Sequence, residues 1–174
     1  MPSQSHGVRL VVVRHGPAVE RDPARWPDDG QRPLTAEGAV QTRKAAKGLV
    51  RYIGKADRIL TSGAVRCRAT TNLLRAAMGK PPPVEVWKEL GPGLLAPPLF
   101  RRLARTTRSG QQVVIVGHEP TLTEFIGIGL IGEGTPFIRM GKGAALCLEF
   151  PRGVRPGAGV LVWMATRKQL ARRG

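Results

Sequence analysis

Val11-Val12-Val13-Arg14-His15-Gly16 stands near the start of the chain, and Val113-Val114-Ile115-Val116-Gly117-His118 follows far downstream. Short β-branched runs closed by glycine read as buried strands. Parallel strands of an open α/β sheet deliver whatever follows their carboxyl ends to one edge, where ligands bind. The chain carries 3 histidines, and two of them stand at these strand ends. Two histidines and an arginine distant in sequence are therefore expected to meet.

Composition sets the frame. The 174 residues are 41% hydrophobic, which fits one α/β domain spanning 1–174. No apolar run reaches the roughly 18 residues of a membrane span. The start, Met1-Pro2-Ser3-Gln4-Ser5-His6-Gly7, lacks the basic region, apolar region and cleavage site of a leader, so a cytoplasmic location is expected. Cys67 and Cys147 have no metal-like spacing and read as buried small hydrophobes. Lysine and arginine outnumber the acids 28 to 12, a net charge of +16 that draws in anionic partners of any kind.

The pattern along the chain alternates. Val8–Val13 reads as a strand, followed by a polar loop rich in proline. Thr35 caps a helix running to about Tyr52 with Gly54 as its stop. Arg58–Thr61 reads as a second strand, and a helix after Ser62-Gly63 runs to Met78. Val84–Trp87 is a third strand, Leu99–Arg108 a basic amphipathic helix, and Val113–Val116 a fourth strand. Pro120 suits the first turn of the next helix. Ala144–Phe150 and Val160–Met164 read as a closing strand pair, and 167–174 as a basic tail. Alternating strands and helices imply right-handed βαβ units. The expected fold is an α/β three-layer sandwich, a mainly parallel central sheet with helices on both faces and an antiparallel closing pair.

The third strand end adds to the first two. Ser62-Gly63 leads into a helix whose first turn carries Arg66, so Arg14, His15, Arg66 and His118 come from the ends of three strands. Arginine presents a planar fork of donors matched to phosphate oxygens, and a helix start adds oriented N–H groups. Two arginines and two histidines around one point make a phosphate pocket containing a candidate nucleophile. Taken singly, a His-Gly after a strand is more often an ordinary loop histidine, and only the joint arrangement points to chemistry. Metal catalysis is disfavoured: His118-Glu119-Pro120-Thr121-Leu122 places Leu122 where a zinc helix needs its second histidine. No P-loop sequence occurs.

Arg14-His15-Gly16, then Arg32-Pro33-Leu34-Thr35-Ala36-Glu37-Gly38, then Ser62 with Arg66 and Thr70, and finally Gly117-His118, resemble in order and spacing the histidine phosphatase (phosphoglycerate-mutase-like) superfamily. The short length and the R-P-L-T-x-x-G form resemble its SixA-type phosphohistidine phosphatase branch. The resemblance implies that His15 accepts the phosphoryl group, that Arg14 and Arg66 bind its oxygens, and that His118 stabilises the transition state. Arg32 adds a contact at the pocket rim. Transfer to His15 followed by attack of water completes hydrolysis, with no metal or organic cofactor. Glu119 and Glu89 are the candidate proton donors. An imidazole leaving group, with a reference pKa of about 6.5, needs far less acid assistance than an alkoxide. With no segment left for a large capping insertion, a shallow, open pocket is expected.

The implied activity is a metal-independent phosphatase acting on phosphohistidine of an acidic phosphotransfer protein. A general phosphomonoesterase of small anionic metabolites and a non-catalytic binder of phosphate or nucleic acid are the alternatives. Phosphate- or sulfate-type anions fit the pocket in every case. Nucleic acid is disfavoured, because aromatic residues make up only 5% of the chain and offer little stacking surface. Arg101, Arg105 and Arg108 on the basic helix remain available for backbone phosphates. Oligomeric state stays open.

Overall fold

The computed structural model describes residues 7–173. The Met1–His6 start, read above as lacking a leader, and Gly174 lie outside the described residues. One sheet of 6 strands runs through the molecule in the order β3-β2-β4-β1-β5-β6. The strands are β1 (Val8–Arg14), β2 (Arg58–Thr61), β3 (Val84–Val86), β4 (Gln112–Gly117), β5 (Ala145–Phe150) and β6 (Val160–Ala165). The first four pair in parallel, whereas β5 joins β1 and β6 joins β5 antiparallel. The expected sheet, with its antiparallel closing pair, is the one observed.

Side-chain alternation builds the two outer layers. Val11 and Val13 face one cluster with Ala45, Leu49, Cys67, Leu74 and Leu170, contributed by α1 (Ala36–Ile53), α2 (Val65–Ala77) and α5 (Arg167–Ala171). Leu10 and Val12 face the other, with Leu99, Leu103, Phe125 and Ile126 of α3 (Ala96–Thr106) and α4 (Thr121–Ile131). Both cysteines are free and buried, as expected. Among the described residues no helix is long and apolar enough to cross a membrane.

Three readings are corrected. The basic helix α3 begins at Ala96 and ends at Thr106, leaving Arg108 outside it. Proline in its first turn loses no hydrogen bond there, so the helix starts earlier than Leu99. Pro120 stands just before α4, not inside its first turn. The basic tail is in part a short helix: Thr166 and Gln169 form a reciprocal capping box, and Leu170 is buried.

Candidate active site

Register brings the strand ends together. Arg14 on β1 lies opposite Gly117 on β4, and Thr61 on β2 lies opposite Val116. The backbone N–H groups of His15 and Ser62 continue these ladders by donating to the carbonyls of Gly117 and Val116, each at 3.1 Å. His15 and His118 are thereby set side by side, with ring centroids 5.1 Å apart. Gly16 follows because the chain passes against α1: a Cβ there would stand 2.0 Å from Thr42 Oγ1. The freed Gly16 N–H donates to Thr70 Oγ1 on α2 (3.0 Å), tying the histidine turn to the helix that bears Arg66. Gly38 has the same cause, since a Cβ would stand 2.1 Å from the Pro17 carbonyl.

The hydrogen bonds fix the state of His15. Its Nδ1 lies 2.8 Å from the Gly16 carbonyl, which can only accept, so Nδ1 carries the proton. Nε2 keeps its lone pair and accepts from Arg66 Nε at 3.3 Å. Burial pushes the His15 pKa down to about 4, and the charges of Arg66, Arg14 and Lys142 push the same way against the Gly16 bond. His118 is lowered to about 3 by burial and then by Arg66. Both rings are neutral near neutrality, as a nitrogen nucleophile requires. His118 Nε2 lies 2.9 Å from Ser62 Oγ and 3.4 Å from Cys67 Sγ, whose thiol burial raises to about 12.

The two arginines reach the histidines differently. Arg14 donates from Nη1 to the Met140 carbonyl (2.7 Å), while its Nε is buried without a partner. Arg66 is held by Asp29, donating from Nη1 to its carbonyl (2.6 Å) and from Nη2 to Oδ2 (2.7 Å). Asp29 Oδ1 takes a bond from Arg32 Nε (2.8 Å). Desolvation alone would raise the Asp29 carboxyl, but Arg32 and Arg66 outweigh it and hold it below the usual carboxylate range.

The structure therefore assembles Arg14, His15, Arg66 and His118 at one place. Arg32 is joined to them through Asp29, and its Nη1 goes to the Val19 carbonyl. Glu119 interacts with the charge of Arg14; its Oε2 accepts from Thr123, and its Oε1 is buried without a partner. Glu89 is not brought in: it pairs with Arg102 at 2.8 Å, and Arg102 lies over the Trp87 ring. The pocket is also less open than expected. His15, Arg66 and His118 are only 5%, 2% and 3% exposed, because the polar loop after β1 folds back and delivers Asp29 onto Arg66. Sequence reasoning missed Asp29 and the Met140 carbonyl. Neither carried a distinguishing signal: a loop aspartate reads the same in solvent as against a guanidinium, and a backbone acceptor has no sequence signature.

Among the described residues no group of three or more His, Cys, Asp or Glu side chains could hold a metal ion. The profile of the histidine phosphatase superfamily (branch 1) matches residues 10–91. An uncharacterized protein of Picosynechococcus sp. is 32% identical over 152 residues, 87% of each chain. The solved structure of the protein histidine phosphatase SixA complexed with tungstate superposes with a TM-score of 0.79 at 24% identity, covering 93% of this chain and 99% of that one. The alpha-ribazole phosphatase from Shigella flexneri gives 0.67 at 18% identity, covering 91% and 96%. Such structural likenesses show the fold.

Proposed function

The chain belongs to the histidine phosphatase superfamily, and we propose that it is a metal-independent phosphatase of the SixA type, using His15 as nucleophile on a phosphohistidine carried by an acidic protein. One observation carries this reading. His15 Nε2 meets Arg66 Nε in a long contact of 3.3 Å and lies in the field of Arg14, whose own Nε is buried without a partner. A buried unpaired donor costs free energy that an oxyanion recovers.

The residues support a two-step reaction. His15 Nε2 attacks phosphorus while the P–N bond of the substrate breaks. The leaving nitrogen takes the electron pair and the other nitrogen of that ring, protonated, keeps its proton, so neutral imidazole departs while Arg14 and Arg66 hold the equatorial oxygens. His118, beside His15, donates to the same group. Water then attacks the phosphohistidine, releasing inorganic phosphate and returning the electron pair to Nε2. The Gly16 carbonyl holds Nδ1–H throughout, so the ring need not change tautomer. The +16 charge accelerates encounter with an acidic protein.

A second reading, hydrolysis of small phosphate monoesters, is favoured by Glu119 Oε1, a buried oxygen with no partner in reach of Arg14's field. A carboxyl at this place is the group positioned to assist an alkoxide leaving group. The test is one activity panel with EDTA present, comparing a phosphohistidine protein, p-nitrophenyl phosphate and sugar phosphates. Preference for the phosphohistidine protein is expected. Preference for sugar phosphates selects the second reading, and loss of all activity to EDTA overturns the metal-independent mechanism.

A further inference from the structure

Arg66 cannot use its whole fork on a phosphoryl group. A guanidinium is a rigid plane with two donor edges, and Asp29 consumes the Nη1/Nη2 edge with two acceptors of one residue, its carbonyl at 2.6 Å and Oδ2 at 2.7 Å. What remains is the Nε edge, which faces His15 Nε2 at 3.3 Å. The Arg66 side chain is only 3% exposed, so water cannot orient it.

Asp29 is itself fixed. Asp28 Oδ1 accepts from Gly30 N (2.8 Å) and shapes the short turn Asp29–Gln31, while Arg32 Nε grips Asp29 Oδ1 from the far side at 2.8 Å. The carboxylate thus bridges two arginines, one oxygen to each. Desolvation opposes its charge and the two guanidinium groups restore it.

We propose that Asp29 is a positioning residue for phosphoryl transfer: it locks the outer edge of Arg66 so that the Nε edge meets the phosphoryl oxygens beside His15. The inference rests on the phosphatase reading above. It also assigns Arg32 a role different from a rim contact, because Arg32 acts by anchoring Asp29. Removing the carboxylate leaves only the backbone carbonyl of residue 29 on that edge, so the Arg66 plane can tilt about a single contact and the transition state loses a donor in the right place.

A double-mutant cycle tests this with two readouts, turnover of a phosphohistidine protein and calorimetric affinity for tungstate. Asp29→Ala should lower kcat on the order of 10- to 100-fold with a smaller change in KM, and should weaken tungstate binding. Within the Arg66→Ala background, Asp29→Ala should cost nothing further by either readout. Arg32→Ala leaves the Asp29–Arg66 contact standing and should give a smaller loss in the same direction, which keeps the test valid if Asp29→Ala folds poorly. Additive losses in the cycle, or wild-type values in Asp29→Ala, overturn the proposal. A wild-type protein that binds tungstate but hydrolyses no phosphoryl compound overturns the phosphatase reading alone, and the binding cycle then decides Asp29. Failure to bind tungstate at all overturns both.

Discussion

Arg9 and Arg14 lie on the same strand and end in opposite circumstances. Arg9, at the amino edge of the sheet, is 56% exposed in its side chain and pairs with Glu149 at 2.8 Å. It borders a cleft of about 330 Å³ that is also lined by Lys55, Asp57 and Gln112, where Asp57 Oδ2 accepts from the Gln112 N–H. Arg14, at the carboxyl edge, is half-buried and keeps a buried, unpartnered Nε. Exposed ion pairs contribute about 0–1 kcal/mol and demand no ligand, whereas a buried donor left unmade costs about 1–3 kcal/mol. A cleft on its own is therefore less informative than a buried unpaired donor. An orphan donor is not sufficient by itself either: Arg58 Nε and Arg75 Nε are also unpartnered. Arg58 already serves Glu85 and Thr106, and Arg75 lies in the last turn of α2, the end away from Arg66. What singles out Arg14 is its conjunction with a neutral histidine and a second arginine.

The sharpest way to break this contrast is His15→Ala, which should abolish turnover. Wild-type protein quenched during reaction with labelled substrate should carry acid-labile phosphate, and the variant none. Near wild-type turnover in the variant would remove His15 as nucleophile. Arg66→Ala should follow, costing about 10²-fold or more in kcat, the scale of removing one transition-state donor. Arg14→Ala should lower both kcat and tungstate affinity, since it deletes the donor without a protein partner. If Arg9→Ala matched either loss, the two edges would have been wrongly distinguished.

pH separates the edges as well. The His15 pKa of about 4 means that kcat/KM for the free enzyme should hold from neutrality to about pH 5 and fall as pH drops through about 4. Stability follows the same sign. The folded pKa lies below the unfolded value of about 6.5, so the unfolded state takes up protons first as pH falls. Stability is full above about 6.5 and is lost towards the folded values of about 4 for His15 and about 3 for His118. Urea midpoints measured at pH 7 and pH 5 should show the decline, and His15→Ala should flatten it. A decline beginning only below pH 4 would mean that the two rings are less desolvated than their burial implies.

Much of this was legible in the sequence, for physical reasons that differ by residue. The β-branched runs of β1 and β4 announce buried parallel strands, and the motifs at their ends name His15 and His118. Thr35 and Gly54 bound α1 as capping chemistry requires. Asp29 was not legible, because a loop aspartate looks the same whether it meets solvent or a guanidinium. Nor was Glu89 separable from Glu119: each follows a strand, and only the tertiary contact with Arg102 takes Glu89 away. The shortness of α5 hid it within a run of cations, although Thr166 and Gln169 spelled its cap.

Glu119→Gln probes the remaining unpartnered group, and its effect should depend on the leaving group. For sugar phosphates it should lower kcat by about 10²-fold or more, the scale of a general acid. For phosphohistidine it should change little, since imidazole leaves without a full proton transfer. Equal losses on both would make Glu119 a structural ligand of Thr123 and nothing more.

The smallest effect belongs to the basic helix. Arg101 and Arg105 line an open groove of about 690 Å³ with Glu89 and Arg102, and the charges that act on His15 are those of Arg66, Arg14 and Lys142. Arg101→Ala and Arg105→Ala should therefore leave kcat unchanged. Any consequence should appear in kcat/KM for an acidic protein substrate, and it should fade as salt rises towards the concentration where the Debye length falls to about 3 Å. Small phosphate compounds should show no difference between these variants and wild type. A loss of kcat on such compounds would mean that the positive field of α3 reaches the reacting group, and that the separation of a catalytic edge from a merely charged surface does not hold.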